Sequence, residues 1–406
     1  MYTPYFLIDE TIIEKNCKIL EHVRKQSGCK ILLAQKAYSC FDTYPLIAKY
    51  LDGTTASGLF EARLGKEKFH PVIAGRVVDP TKQSLQELKT RKEVHVFAPA
   101  FTDEDMTQIV KICDHIVFNS KAQLLKHHSI CRKHGLKISV RVNPECKTQG
   151  SDIYDPCAPL SRFGIKAKDM DAEVISLIDG LHFHTLCQQD LEPLKITLAA
   201  FEQKFGHYLS KIKTVNFGGG HHITREGYDV GGLIELIKDF KSRYNNIEVY
   251  LEPGEAIVLN AGTLTSTVLD IVHNERNIAI LDTSAACHNP DILETQHDYT
   301  PPIVGAVIAR SGEATTKQSL HEHKNLYRLA GNTCLAGDII GDYRFANPLK
   351  AGDQITFEDT ALYTMVKTNM FNGINLPSIY VKRTNGKIEL LREFGFEDYI
   401  SRLGKK

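Results

Sequence analysis

From residue 30 onward the chain alternates between two patterns. Short β-branched runs end in a polar or glycine residue, and each gives way to a stretch with apolar residues at helical spacing, as parallel βα units require. Eight such runs occur: ILLAQ (31–35), TTAS (54–57), EVHVFA (93–98), HIVFN (115–119), KISVRV (137–142), GLHFH (180–184), TVNF (214–217) and IEVYLE (247–252). Eight strand-helix units predict a closed (β/α)8 barrel, whose chemistry gathers at the C-terminal ends of its strands. The stretch 72–92 reads as extra material, a strand-turn-helix excursion, although VIAG within it is a competing barrel strand. After about residue 270 the pattern changes to short strands such as NIAILD, NLYRLAG, DQITFED and SIYVKR between turn residues, which predicts a β-rich second domain.

The length, 406 residues, fits this division, because one core seldom grows past ~250–300 residues. Lys and Arg together number 49 and so do Asp and Glu, so no overall field draws in nucleic acid or anionic lipid, and the expected partner is a small molecule. The N-terminal stretch lacks the pattern of a secretory signal and no apolar run could span a bilayer, so a cytoplasmic protein is expected. The ten cysteines contain no CxxC pair, and the expectation is reduced thiols, mostly core fillers.

The strand ends carry the candidate chemistry. Lys36 directly follows ILLAQ, which places a primary amine at the barrel mouth with its stem in an apolar wall, where a lysine can lose its proton and form a Schiff base. Gly218, Gly219 and Gly220 follow TVNF and would let backbone N–H groups approach a phosphate. Glu252 ends another run, where a carboxylate could hold a protonated pyridine nitrogen. His184 could stack on a cofactor ring, and His182 shares its face by strand alternation. Alone, each has a plainer alternative: a surface lysine, an ordinary turn, a capping or paired glutamate, a core histidine. An HxH pair can also ligate zinc, but no third ligand recurs at suitable spacing, and no metal is expected. Together these residues supply an amine, a phosphate cradle, a ring stacker and a carboxylate at one mouth.

The segments TPYFLIDE, GTTASGLFEARLG, EVHVFAPAF, CDHIVFNS, RVNPE, FHTLC, NFGGGHHIT, LEPGEA, LDTSAACHNPDILE, GNTCLAGD and YTMVKTNMFNG resemble the carboxynorspermidine decarboxylases nearly end to end. That family sits within the alanine-racemase-like, fold-type III group that also holds ornithine and diaminopimelate decarboxylases. The resemblance implies a (β/α)8 barrel binding pyridoxal 5'-phosphate over 10–270, and a β domain made of 271–406 together with 1–9. It further implies that Lys36 carries the cofactor, His184 stacks on it, Gly218 to Gly220 cradle the phosphate, Glu252 meets the ring nitrogen and Tyr363 bonds the phosphate. Cys334, in GNTCLAGD, falls where relatives carry the cysteine that protonates the carbanion, and is expected to reach the partner's active site in a homodimer.

Many relatives have an acidic residue after that cysteine and an arginine in EPGR, whereas this chain has Leu335 and Glu255. A carboxylate in place of an arginine favours a cationic amine in the pocket, because an unpaired buried charge is costly. With Asp291 as a second acid, the expected substrate is a long polyamine-bearing amino acid, carboxynorspermidine or carboxyspermidine. Asp282 and Cys287 are left outside the expected catalytic core. The rival readings are a diaminopimelate decarboxylase-like enzyme, a racemase, and a noncatalytic cofactor-binding barrel.

Overall fold

The structure, a computed structural model, describes residues 1–70, 72–73, 76–77, 91–308 and 325–405. The chain divides into two compact units, one made of residues 13–257 and the other of residues 1–12 with 258–406.

In the first unit eight parallel strands close into a barrel in chain order: Lys30–Ala34, Gly53–Ala56, Glu93–Phe97, His115–Phe118, Lys137–Arg141, Gly180–His182, Thr214–Asn216 and Glu248–Leu251. The last closes onto the first through the pairs Tyr250 with Lys30 and Leu251 with Ile31. These strands are buried along nearly their whole length, as a barrel walled by helices demands, which is why they read as apolar runs. Side-chain caps fix several helix starts: Thr102 Oγ1 accepts from Asp105 N–H, Ser120 Oγ from Gln123 N–H and Asp229 from Gly232 N–H. Inside the barrel, where branched aliphatics usually dominate, the rings of His95 and His115 lie 4.6 Å apart and that of Tyr250 is 4.9 Å from His95. Lys30 ties the lower rim together, pairing with Glu93 at 2.6 Å and Glu248 at 2.7 Å.

All eight expected runs are barrel strands, each ending one or two residues sooner than its apolar run. Among the described residues Val72–Ile73 and Arg76–Val77 pair only with each other and not with the barrel, while Ala74 and Gly75 of VIAG lie outside the described residues. Residues 78–90 of the expected excursion lie outside the described residues.

The second unit is built on a mixed sheet ordered Ala306–Ile308, Ile339–Phe345, Leu326–Ala330, Arg276–Leu281, Gly262–Asn274, Tyr5–Asp9, Ser378–Lys382 and Ile388–Arg392, with Gln354–Phe357 also pairing Gly262–Asn274. The strand Tyr5–Asp9 runs antiparallel to Gly262–Asn274 and parallel to Ser378–Lys382. The expected boundary at residue 270 needs correction, because it falls inside Gly262–Asn274. That strand is pinned to Tyr5–Asp9 and Gln354–Phe357 along its first half, so the whole of it belongs to the sheet. Phe6, Leu264, Val268, Leu281, Ile292, Leu329, Tyr343 and Phe357 form the core of this unit.

Candidate active site

The barrel strands end just short of the expected chemistry, leaving it on the turns beyond. Lys36 lies two residues past Ala34, and its Nζ is 3.3 Å from His184 Nε2. Burial, followed by the positive charge of Arg141, pushes the Lys36 amine below the usual lysine range, while Glu252 and Glu255 pull the other way. Burial, then Lys36 and Arg141, hold His184 well below the ordinary histidine range and keep it neutral. When His184 Nδ1 accepts from the Gly219 N–H at 3.2 Å, the ring proton sits on Nε2 and faces the Lys36 amine.

The glycine turn could hold little else. Gly218 and Gly220 have φ of 71° and 85°, in the left-handed region, and a Cβ on Gly220 would lie 1.9 Å from the Leu186 carbonyl oxygen. Glu252 is joined to this turn twice. Its N–H donates to the Gly218 carbonyl at 2.8 Å, and its Oε1 accepts from Asn216 Nδ2 at 2.8 Å. The same Asn216 accepts the Gly218 N–H on Oδ1 at 2.8 Å, so one side chain locks cradle to carboxylate. His182 Nε2 donates to Glu252 Oε2 at 3.2 Å. Burial alone would raise the Glu252 carboxyl, but the nearby His182 and the hydrogen bonds from His182 and Asn216 outweigh it and keep the group ionised well below the usual carboxylate range.

Arg141 completes this part of the site. Its guanidinium packs over the rings of Phe97 at 4.8 Å and Phe163 at 4.3 Å and donates to the His184 carbonyl at 2.7 Å. Burial lowers it to about 10. Glu255 is buried, and both its oxygens are engaged: Oε1 accepts from Gln188 Nε2 at 2.9 Å and Oε2 lies 3.3 Å from His222 Nε2.

Lys36, His184, Gly218 to Gly220, Glu252 and Glu255 are thus brought together in the barrel. Sequence reasoning missed Asn216, Arg141, Gln188 and His222. An arginine within the apolar run KISVRV and an asparagine ending TVNF were visible signals, since charged and polar side chains are rarely buried without a partner. Among the described residues no group of three or more His, Cys, Asp or Glu is arranged to hold a metal ion.

Cys334, Asp291 and Tyr363 belong to the sheet unit. Cys334 is exposed, and its N–H donates to Asn372 Oδ1 at 2.7 Å. Asp338 ties down the rest of that loop, accepting from Thr333 Oγ1 at 2.7 Å, Ser284 Oγ at 2.9 Å and Ala285 N–H at 2.8 Å. Leu335 points outward with 44% of its surface exposed. Tyr363 has a φ of 51°, a left-handed conformation that a tyrosine adopts only under local constraint. Asp291 is paired with Lys367 at 2.7 Å, so its carboxylate already has a cation. Asp282 accepts from Ser266 Oγ at 2.6 Å and Thr267 N–H at 2.8 Å, and Cys287 is buried against the Phe371 carbonyl at 3.6 Å.

Residues 37–361 match a family described as pyridoxal-dependent decarboxylase, C-terminal sheet domain. The chain is 40% identical over 400 residues to the carboxynorspermidine/carboxyspermidine decarboxylase of Campylobacter jejuni, covering 98% of each. It is 37% identical over 403 residues to the carboxyaminopropylagmatine decarboxylase of Synechocystis, covering 99% of this chain and 95% of the other. A crystal structure of carboxynorspermidine decarboxylase from Campylobacter jejuni, complexed with norspermidine, matches with a TM-score of 0.84 and 39% identity over 99% of this chain and 100% of that one.

Proposed function

This chain belongs to the pyridoxal-dependent decarboxylases, and we propose that it removes the carboxylate of carboxynorspermidine or carboxyspermidine to give norspermidine or spermidine. The observation that carries the reading is the pairing, in one barrel mouth, of an amine whose protonation is disfavoured with a buried, ionised carboxylate locked to a glycine cradle.

The residues present fit pyridoxal phosphate. Any side chain on Gly219 or Gly220 would collide with the backbone behind it, so the turn leaves its open side to an anion. Glu252 stands ready to hold a proton on a pyridine nitrogen, and a Lys36 amine that has lost its proton is the nucleophile for an aldehyde carbon. Bound, the cofactor supplies an electron sink for the pair left on the substrate carbon when carbon dioxide departs.

The chain's own groups do the rest. His184, neutral and anchored on Gly219, fixes the ring face and lies beside the Lys36 amine. Arg141, pinned to the His184 carbonyl, keeps a positive charge near that amine and so disfavours its protonated form. Cys334 delivers the proton that replaces the carboxylate, so the product gains one C–H bond for the C–C bond lost. Its exposure suits a thiol that serves a second copy of the chain, and we read the working enzyme as a cytoplasmic homodimer whose sites are shared. Tyr363 hydrogen-bonds the phosphate, and Asp291 takes a substrate amine in exchange for Lys367.

A second substrate has support of its own. The 37% identity with a carboxyaminopropylagmatine decarboxylase over nearly the whole chain makes a guanidinium-bearing substrate a direct competitor for the same site. The attachment is tested by reducing the loaded protein with borohydride and mapping the label by mass spectrometry. Label on Lys36 is expected; label on another lysine, with Lys36 unmodified, would overturn the reading.

A further inference from the structure

A phosphate brought into a partly dry site needs more than backbone N–H groups, because an anion without a nearby cation is costly to bury. Close to the cradle, however, the chain places Glu255, a buried carboxylate. Its partner is His222, also buried, with Nε2 3.3 Å from Glu255 Oε2, while Gln188 holds the other oxygen at 2.9 Å.

His222 is tied to the cradle by the backbone. Its N–H donates to the Gln189 carbonyl at 3.0 Å, and the Gln189 N–H donates to the Gly220 carbonyl at 3.0 Å. The last glycine and His222 are therefore pinned to one neighbouring residue. The two adjacent imidazoles differ in their surroundings. His221 meets the Tyr228 hydroxyl at 3.0 Å, and burial pushes it down to about 4, so it stays neutral. His222 faces a carboxylate. Arg225 is paired with Asp190, and Arg141 donates to the His184 carbonyl.

We propose that His222 is the side chain facing the cofactor phosphate beside Gly218 to Gly220, its ring braced on Glu255 through Nε2. The inference rests on the chain binding pyridoxal phosphate at this cradle. It assigns Glu255 to the phosphate end of the site instead of to a substrate amine. Gln188 fixes the carboxylate, which in turn fixes the imidazole.

The test uses the loaded enzyme and three variants, His222→Gln, His222→Arg and Glu255→Gln. Cofactor dissociation is followed by absorbance, and the bound phosphate by phosphorus NMR across about pH 6–9, the range in which phosphate and histidine titrate. His222→Gln should loosen the cofactor by about tenfold or more, the worth of one hydrogen bond to a charged group. It should also move the phosphorus resonance, and His222→Arg should restore retention. Glu255→Gln should move the resonance and leave the KM for substrate unchanged. A His222→Gln enzyme with wild-type retention and an unaltered phosphorus profile would overturn the inference. So would a Glu255→Gln enzyme with raised KM and unaltered cofactor binding. Wild-type protein that takes up no cofactor at all would instead overturn the reading of the cradle beneath it.

Discussion

The contact between the glycine turn and the strand end carrying Glu252 can be probed with a single methyl group. In Gly219→Ala the new Cβ would stand 2.1 Å from the Glu252 carbonyl oxygen and 2.9 Å from its carbon, where real Cβ contacts do not fall below 3.0 Å. Either the cradle or the Glu252 backbone must therefore move by about 0.9 Å, the gap between 2.1 and 3.0 Å. Gly219 is outside the left-handed region, so the cost is steric alone. Overpacking of this kind costs about 1–3 kcal/mol. Expressed in binding, that weakens the cofactor by roughly 5-fold to 150-fold. Turnover should drop as well, by about 100-fold, because the same push misplaces Glu252 and a displacement of ~1 Å in an active site has that effect. The assay is the cofactor dissociation constant by absorbance, together with kcat/KM of the saturated enzyme. Gly58→Ala is the control, since nothing lies within 4 Å of its Cβ and its φ of −177° is extended. Gly219→Ala protein that binds cofactor and turns over like the control would refute the claim that cradle and carboxylate are one rigid unit.

Further outcomes follow from the same geometry. Arg141→Met removes a positive charge beside Lys36, so the amine becomes more basic and less of it is neutral at a given pH. Reconstitution with free cofactor should slow at neutral pH and its pH profile should move upward; an unshifted profile would rule out the charge effect. His115, His221 and His288 are depressed chiefly by burial, the latter two to about 4, so the unfolded chain takes up protons first as pH falls below the ordinary value of 6.5. Each should cost about 1.4 kcal/mol of stability per pH unit below that value, down to its folded pKa. Urea unfolding of cofactor-free protein at about pH 7.5 and about pH 5.5 checks this, and equal stability would contradict it. Mixing inactive Lys36→Ala and Cys334→Ala chains should restore part of the turnover if each site takes its thiol from the other copy. No recovery, with mixed dimers demonstrated, would exclude sharing.

Much of this site was legible because barrel strands are apolar on both faces, so a polar residue where a run ends marks the mouth. Lys36, His184 and Glu252 were found that way, and each lies just past its strand, where the apolar requirement lapses. The boundary was misplaced because Gly262–Asn274 is one long strand whose polar second half resembles the start of something new, while its buried first half resembles barrel material. Asn216 escaped notice because its role, bridging Gly218 and Glu252, joins residues more than thirty positions apart. Gln188 could not have been found from pattern: it sits in a left-handed turn after the strand end, and its partner Glu255 comes from another βα unit.

The central claim is a decarboxylase acting on a carboxylated polyamine, and it is met most directly by offering the loaded enzyme five substrates separately. These are carboxynorspermidine, carboxyspermidine, carboxyaminopropylagmatine, diaminopimelate and ornithine, with carbon dioxide measured and the amine product identified by mass. Turnover of carboxynorspermidine or carboxyspermidine, giving norspermidine or spermidine, with little or none of diaminopimelate and ornithine, is the result predicted. Turnover of diaminopimelate alone would contradict the assignment of substrate while leaving the Lys36 chemistry in place.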